Sequence, residues 1–419
     1  PIMKILWLAT FIMNRLTYNY KFMLISVLFM CPIVLLSFQL WNQLEQDLQV
    51  TATEAKGINV INELNAISIT ATELRDVMMA YNYDRSEATA SKIYKLRSAI
   101  NEQLEIFARQ YKDSHLVKPS QIERLMRARD AAYKEDLGSQ IMLREYINSY
   151  GSLVNEIDSI VFEISKGSGL SNDTDPNLAS DIGLYFEKVR PLLGQLSKLR
   201  GYGNNTLNTP FMDSATFTEV DATFFNTQTV FTEFQESIEK IRKQRPDAPI
   251  VSGSADFVDA AGKLLYLFND QVVEAISDRQ TWQQYNDSVS GFIATAHTIE
   301  NSILQRALKT VQVRLEAKET NRIFLVVSLL SLLAVISYLY LGLYVTLSRS
   351  ISNMVGSAGR VASGDMTVEV ENQTHDEFAT LIGNFNDMVK QMKQLIRAAR
   401  ERSDSVASHA RHVKELADQ

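Results

Sequence analysis

The sequence predicts an all-α chain with two transmembrane helices and an elongated helical-bundle region between them. Three observations lead there. Two apolar runs, Phe22 to Leu40 and Ile323 to Leu347, contain no charged residue, and at about 1.5 Å per residue each can cross the roughly 30 Å hydrocarbon core of a bilayer. The stretches between them repeat apolar residues at helical spacing, and the alternation of a half-buried strand is missing over any long window. Beyond the second run, apolar residues fall on a seam of threes and fours that continues to the end of the chain.

Composition sets the outer limits. With 419 residues, 46% of them apolar, and a net charge of -7, the chain is long enough for two or three domains. The acidic balance argues against nucleic acid as a partner, because neutralising phosphates needs clustered Lys and Arg. The single cysteine, Cys31, lies inside the first apolar run, so neither a disulfide framework nor a Cys-based metal site is expected.

In chain order, residues 1–21 read as a cytoplasmic segment. Lys4, Arg15 and Lys21 precede the first run with no acidic residue, whereas Glu45 and Asp47 follow it, which puts the N-terminus inside by the positive-inside rule. Ile2, Ile5, Leu6, Leu8 and Ala9 form a short apolar patch expected along the inner membrane face. Residues 22–41 read as the first span, with Trp41 as an interfacial anchor and Pro32 giving at most a kink. A cleaved signal peptide is the competing reading, disfavoured by the length of the run and by the lack of a small-x-small exit.

Residues 42–322 are expected on the outer side as a helical sensor of two stacked bundles. Helical periodicity covers Ile58 to Phe107, with a possible turn at Tyr81 to Ser86, and then Ile122 to Ile164, Leu178 to Arg200, Phe217 to Ile241 and Ala255 to Thr320. Breaks rich in Gly, Pro, Ser and Asp fall at 112–120, 166–177 and 245–254. Residues 323–347 form the second span, bounded by Arg322 and Arg349, with Tyr338, Tyr340 and Tyr344 toward its cytoplasmic end.

The segment 348–398 has its own grammar. Ile351, Met354, Ala358 and Val361 share one helical seam, and Ser363-Gly364-Asp365 marks a helix exit. Met366, Val368 and Val370 then alternate with Thr367, Glu369 and Glu371, the period of an extended connector. A second helix starts near Asp376-Glu377 and carries Leu381, Phe385, Met388, Met392 and Leu395. Residues 399–419 continue the same coil through Ala399, Arg402, Val406, His409, Val413 and Leu416. The pattern stops in mid-repeat at Gln419, so an output domain is expected beyond it.

G-D-M followed by D-E-F-A-T-L-I-G-N-F-N-D-M, directly after a membrane span, resembles a HAMP domain. Gly364, Asp365, Glu377, Leu381, Phe385, Asn386 and Met388 fall on the family's pattern, while Ser350 stands where the family usually has Pro. The resemblance implies a parallel four-helix coiled coil made by a homodimer, relaying signals in a membrane receptor. Ile351, Met354, Ala358, Val361, Met366 and Val370 would pack in that bundle. The segment Ser168 to Leu207 is similar to the second half of a two-bundle helical ectodomain of bacterial chemoreceptors, on Asp175, Pro176, Leu199, Arg200, Gly201 and Gly203.

Together these resemblances imply a methyl-accepting chemotaxis receptor of the bacterial inner membrane, with both termini cytoplasmic. Its expected partners are a second copy, membrane lipid, a small periplasmic ligand and, through a part beyond Gln419, a chemotaxis kinase and coupling protein. A sensor histidine kinase and a membrane-bound diguanylate cyclase use the same front half and remain open alternatives.

Candidate ligand-binding residues follow from charge on apolar helix faces. Arg75, Arg97, Arg190 and Arg200 can each pair with a bound carboxylate, and internal ion pairs are the competing reading for each. Tyr202 and Asn204 join the list because Gly201 and Gly203, read as lying near a helix end, would bring backbone N–H groups close to a docked group, with a tight packing corner between two bundles as the favoured competing reading. Trp282 and Tyr285 could stack a ligand, with packing as the default. No phosphate loop, H-E-x-x-H or nucleophile elbow occurs. His409 and His412 fit the coil without a metal, so neither catalysis, cofactor nor metal is expected of this stretch.

Overall fold

The structure, a computed structural model, describes residues 18–134, 143–209, 211–275, 278–371 and 377–417, together with 11, 13, 15 and 16. The expected patch over residues 2–9, and Asp376, lie outside the described residues. Ten α-helices are described: α1 (Tyr18–Tyr81), α2 (Glu87–Tyr111), α3 (Pro119–Tyr133), α4 (Leu143–Gly167), α5 (Pro176–Leu184), α6 (Arg190–Asn208), α7 (Ser214–Gln244), α8 (Pro249–Phe268), α9 (Trp282–Ala362) and α10 (Glu377–Ala417). The fold is all-α, and two of these helices, α1 and α9, are long and apolar enough to cross a membrane. Their apolar stretches are bare: Leu28, Phe29, Phe324 and Tyr338 are between 69% and 78% exposed. Side chains of that kind left open to water would be costly, and lipid is the solvent that suits them.

The turn-forming segments become helix starts. Ser86 caps α2 by accepting the Thr89 N–H, Asp175 caps α5 by accepting from Asn177 and Leu178, and Asp213 caps α7 by accepting from Thr216. Pro119, Pro176 and Pro249 each occupy a first helical position, where a missing N–H costs nothing and the fixed φ is already helical. Pro249 therefore starts α8 five residues before the expected end of the 245–254 break.

The periodicity reading of one helix from Ala255 to Thr320 is overturned. The chain leaves α8 through a π-helical turn at Asn269–Val273, and α9 begins at Trp282. Ala275 takes a positive φ of 49°, and the Gln271 side chain accepts the Gln280 N–H at 3.0 Å, closing the loop. Similarly, the expected run from Ile122 to Ile164 is interrupted, since α3 ends at Tyr133 and Lys134 is no longer helical.

The chain divides into two compact units. Leu40–Arg322 forms one, and the flanking segments up to Gln39 and from Ile323 onward form the other. Within the first, side-chain pairs fix the direction of each helix. Asn208 reaches Ala80 and Asn65 meets Tyr185, so α6 runs parallel to α1. Arg314 meets Glu54 and Trp282 meets Asp84, so α9 runs antiparallel to it. Successive legs alternate in direction, and their buried side chains, from Ile58 through Tyr150, Leu196 and Phe257 to Val311, join one contiguous core.

In the second unit α9 stops in a Schellman arrangement. The Asp365 N–H bonds Arg360 O at 3.1 Å and the Gly364 N–H bonds Val361 O at 3.0 Å. Gly364 takes φ +97°, a conformation that a side chain would strain. The Asp365 carboxylate accepts from the Thr367 hydroxyl at 2.5 Å and from Arg360 at 2.7 Å, and these bonds hold its pKa down at about 2. Val368 and Val370 are buried while Thr367, Glu369 and Glu371 are exposed, the alternation expected of an extended connector.

Candidate functional site

Two places bring chemistry-bearing residues together, one in each unit. In the helical unit the sequence-predicted arginines separate into those locked inside the core and one at an opening.

The locked group centres on Asp76, which is fully buried. Arg75 Nε donates to its Oδ1 and Arg200 Nε to its Oδ2, both at 2.8 Å. The remaining guanidinium groups reach Ser197 at 2.5 Å and Ser290 at 3.2 Å. Asn204 Nδ2 donates to Asp76 O at 3.1 Å and to Asn286 Oδ1 at 2.8 Å. Asn205 and Asn208 cap Met79 O and Ala80 O in the same manner. Arg75, Arg200 and Asn204 thus converge on Asp76 and tie α6 to α1, as the competing reading of internal ion pairs anticipates for the arginines, while the buried Asn204 Oδ1 has no hydrogen-bond partner among the described residues.

The expectation that Gly201 and Gly203 lie near a helix end is corrected. Both are buried within α6, which continues to Asn208, so their N–H groups belong to the helical ladder. Their role is close approach. A Cβ on Gly201 would stand 2.6 Å from Met79 Sδ and 2.8 Å from Asp76 Oδ1, and one on Gly203 would overlap the Tyr285 ring. Tyr285 is itself buried and donates to Leu199 O at 3.0 Å, so it packs rather than stacks a ligand.

Tyr202 faces α7, with its hydroxyl 3.5 Å from Glu219, and burial, followed by Glu219, pushes its pKa up to about 12. Arg97 lies elsewhere, donating to Tyr150 at 2.7 Å and stacking 4.8 Å from the Tyr133 ring.

Arg190 is the candidate at an opening. A cleft of about 50 Å³ is lined by Asn65 and Thr72 of α1, Asp158 of α4, Arg190 and Ser197 of α6, and His297 and Glu300 of α9. Local structure prepares it. Pro191 has no N–H to give to the helical ladder, and the preceding residues widen into a π-helical turn, Tyr185–Val189. That turn carries Tyr185 inward. Arg190 Nη1 donates to Asn65 Oδ1 at 2.5 Å and to Tyr185 Oη at 2.6 Å, while Nη2 pairs with Asp158. The Tyr185 hydroxyl donates onward to Glu300 at 3.1 Å, and the other Glu300 oxygen meets His297 Nδ1 at 2.6 Å.

Burial by itself pushes Glu300 up, but the hydrogen bond and charge of His297, then Arg190 and Tyr185, outweigh it and leave its pKa below the usual value. Burial raises the Tyr185 pKa, keeping that hydroxyl neutral. Asp158 is the more open of the two acids, its side chain 49% exposed while that of Glu300 is 4% exposed.

Asp158, His297 and Glu300 were not among the sequence candidates. A signal for two of them is present, because His297 and Glu300 interrupt the apolar seam formed by Ile293, Ala296, Ile299 and Ile303.

The second place is the connector and α10. Val361, Val368 and Val389 make a small core, with Met366 and Phe385 against it. The Asn386 carboxamide accepts the Val370 N–H and donates to Val370 O, both at 3.0 Å. The chain therefore buries Ile382 and Val389 on itself, beside the predicted seam, and half-buries Phe385, which belongs to that seam. Leu381, Met388, Met392 and Leu395 stay exposed on α10, as does Ala358 on α9, where Ile351 and Met354 are half-buried. Glu377, at the first position of α10, complements the positive end of the helix dipole.

Residues 343–404 match the HAMP domain family, so this second place is a HAMP domain. The chain is also 27% identical over 175 residues to methyl-accepting chemotaxis protein McpC of Bacillus subtilis (strain 168). That match covers 39% of this chain and 26% of the relative, so it takes in about a quarter of the relative's length. No solved structure matches.

Proposed function

We propose that this chain is the sensing and relaying part of a transmembrane signal transducer of the chemoreceptor type. One observation carries the reading: the same helix, α9, places Tyr285 through Val311 in the core of the helical unit and Val361 in the core of the HAMP domain. An input that shifts α9 among its partners in the first core has a packed recipient for the shift in the second. A ligand biases such a system only through its differential affinity for two packings. The likeness to a methyl-accepting protein favours a chemoreceptor output over a kinase or cyclase. In this reading α1 and α9 span the inner membrane, residues 42–322 face outward, both termini face the cytoplasm, and the exposed seam of α10 packs on a second copy.

The Arg190 cleft is where the input would act, with a small carboxylate replacing Asp158 on the guanidinium. Removing the competing charge should then strengthen binding. Asp158→Asn is expected to tighten carboxylate binding by about tenfold, and Arg190→Ala to abolish it, as measured by calorimetry on the purified chain against a panel of short organic acids. Weakened binding in Asp158→Asn would sink the exchange idea. For the relay, cysteines placed at Ile351 or Phe385 in a Cys31→Ser background should crosslink between copies with a yield that changes when the acid is added. A yield indifferent to the acid would refute coupling.

A further inference from the structure

Arg306 was not among the sequence candidates, and neither the Arg190 cleft nor the relay uses it. It stands on α9 beyond Glu300, about 9 Å further along the helix. Its Nε and Nη2 are buried and have no hydrogen-bond partner among the described residues. These two atoms form one edge of the guanidinium, and their N–H groups point the same way, the geometry that grips two oxygens of a single anion. An edge left so is costly, because burial removes water without supplying an acceptor. Burial lowers the Arg306 pKa against the pull of Asp181, and Arg245 lowers it further.

The charges that act on Arg306 come from two other elements. Arg245, the residue after the end of α7, donates from Nη2 to Asp181 Oδ1 at 2.9 Å and to Ser180 Oγ at 3.3 Å, both on α5. Asp181 is therefore already taken by Arg245, and two guanidinium groups against one carboxylate leave an excess positive charge. Arg306, Arg245 and Asp181 are half-buried and Ser180 is exposed, so the group borders solvent.

Shape and charge narrow the anion. A carboxylate has two oxygens, and the Arg306 edge alone would occupy both. A tetrahedral oxyanion has further oxygens for Arg245 and for the Ser180 hydroxyl, which accepts from Arg245 and keeps its own proton to give. Asp181 adds discrimination. Its Oδ1 takes the bond from Arg245, and its Oδ2 is left to accept from an anion that carries a proton and to repel one that carries none. Dihydrogenphosphate has such protons, and its single charge balances the excess; sulfate has no proton and one charge too many.

We propose that Arg306, with Arg245, Ser180 and Asp181, binds inorganic phosphate in its singly charged form. Arg306 Nε and Nη2 hold two oxygens, Arg245 and Ser180 hold the others, and a P–OH group donates to Asp181. A bound phosphate ties α5, the end of α7 and α9 together at one point. It thereby biases the packing of α9, the helix that the relay uses, and it does so without any ligand at Arg190.

The test titrates the purified full chain with inorganic phosphate and with sulfate by calorimetry, at constant ionic strength and at mildly acidic pH, where the singly charged form of phosphate prevails. Phosphate should give a saturating isotherm, and sulfate should bind about tenfold more weakly. Arg306→Gln should weaken phosphate binding by about tenfold for each charge-assisted hydrogen bond it removes. Asp181→Asn should erase the preference for phosphate over sulfate. Arg190→Ala should leave the phosphate isotherm in place, and unchanged helicity by circular dichroism confirms that the variants fold.

A wild type that phosphate does not saturate would overturn the proposal and leave the Arg306 edge to an ordered water. An Arg306→Gln variant that binds phosphate like the wild type would overturn it as well, as would equal affinity of the wild type for the two anions. Loss of the isotherm in Arg190→Ala would assign the phosphate to the cleft instead of to Arg306.

Discussion

Gly203 has no room for a methyl group, because the Tyr285 ring occupies the place where a Cβ would stand. Overpacking of this kind costs about 1–3 kcal/mol, against a helix-propensity gain of about 1 kcal/mol for Ala over Gly. Gly203→Ala should therefore lower the thermal midpoint of the chain, whereas Gly262→Ala, on a helix where nothing stands within 4 Å of the new atom, should not. Glu300 supplies a pH signature. Its pKa is depressed in the folded chain, so its bonds contribute stability above the unfolded value of 4.5 and lose that contribution as pH falls through the folded value. Thermal midpoints measured on descending pH should fall more steeply for the wild type than for Glu300→Gln, and parallel curves would remove Glu300 from the account. Arginine on an apolar face was legible in the sequence. Which arginine would find its acid inside and which would sit at an opening was not, since Arg200 meets Asp76 and Arg190 meets Asp158 across more than thirty residues of chain.

At the scale of elements, capping chemistry was the most readable feature. Asp175-Pro176 and Ser363-Gly364-Asp365 carry their geometry in their residue types, and the helix start and stop fall on them. The loop at 274–281 was missed for a physical reason. It contains no Gly or Pro, and its positive φ is taken by Ala275, so local propensity argues for helix while packing of α8 and α9 imposes a turn. Gly364 allows the opposite case to be tested. Open space surrounds it, so Gly364→Ala acts through the backbone alone and should cost about 1–2 kcal/mol. Amide exchange at Gly364 and Asp365, which close the Schellman bonds, should quicken by about tenfold in the alanine variant.

For the whole molecule, two apolar runs, helical periodicity and a seam were enough to give an all-α chain with two membrane-compatible helices and a HAMP domain. The single contiguous core of residues 58–311 was not legible, because periodicity states which face of a helix is buried without stating against which other helix. The seam makes a prediction about assembly. Met388 is exposed at 44% and Val389 buried at 4%, although they are neighbours in sequence. In a Cys31→Ser background Met388→Cys should crosslink between copies on mild oxidation and Val389→Cys should not. The reverse pattern would place the partner on the stripe that the chain now buries on itself.

Asn386 gives the connector its partner in an unusual way. Its carboxamide offers Val370 one acceptor and one donor at 3.0 Å, the same pair of groups that a neighbouring strand would offer, delivered from the side of a helix. The match is specific to one residue. If the connector slid by a single position, Glu369 or Glu371 would come opposite the carboxamide with its side chain directed the other way, and Val370 would lose its burial. Connector and α10 therefore behave as a pawl and its wheel: they can advance together, but neither slips past the other without breaking both bonds at once.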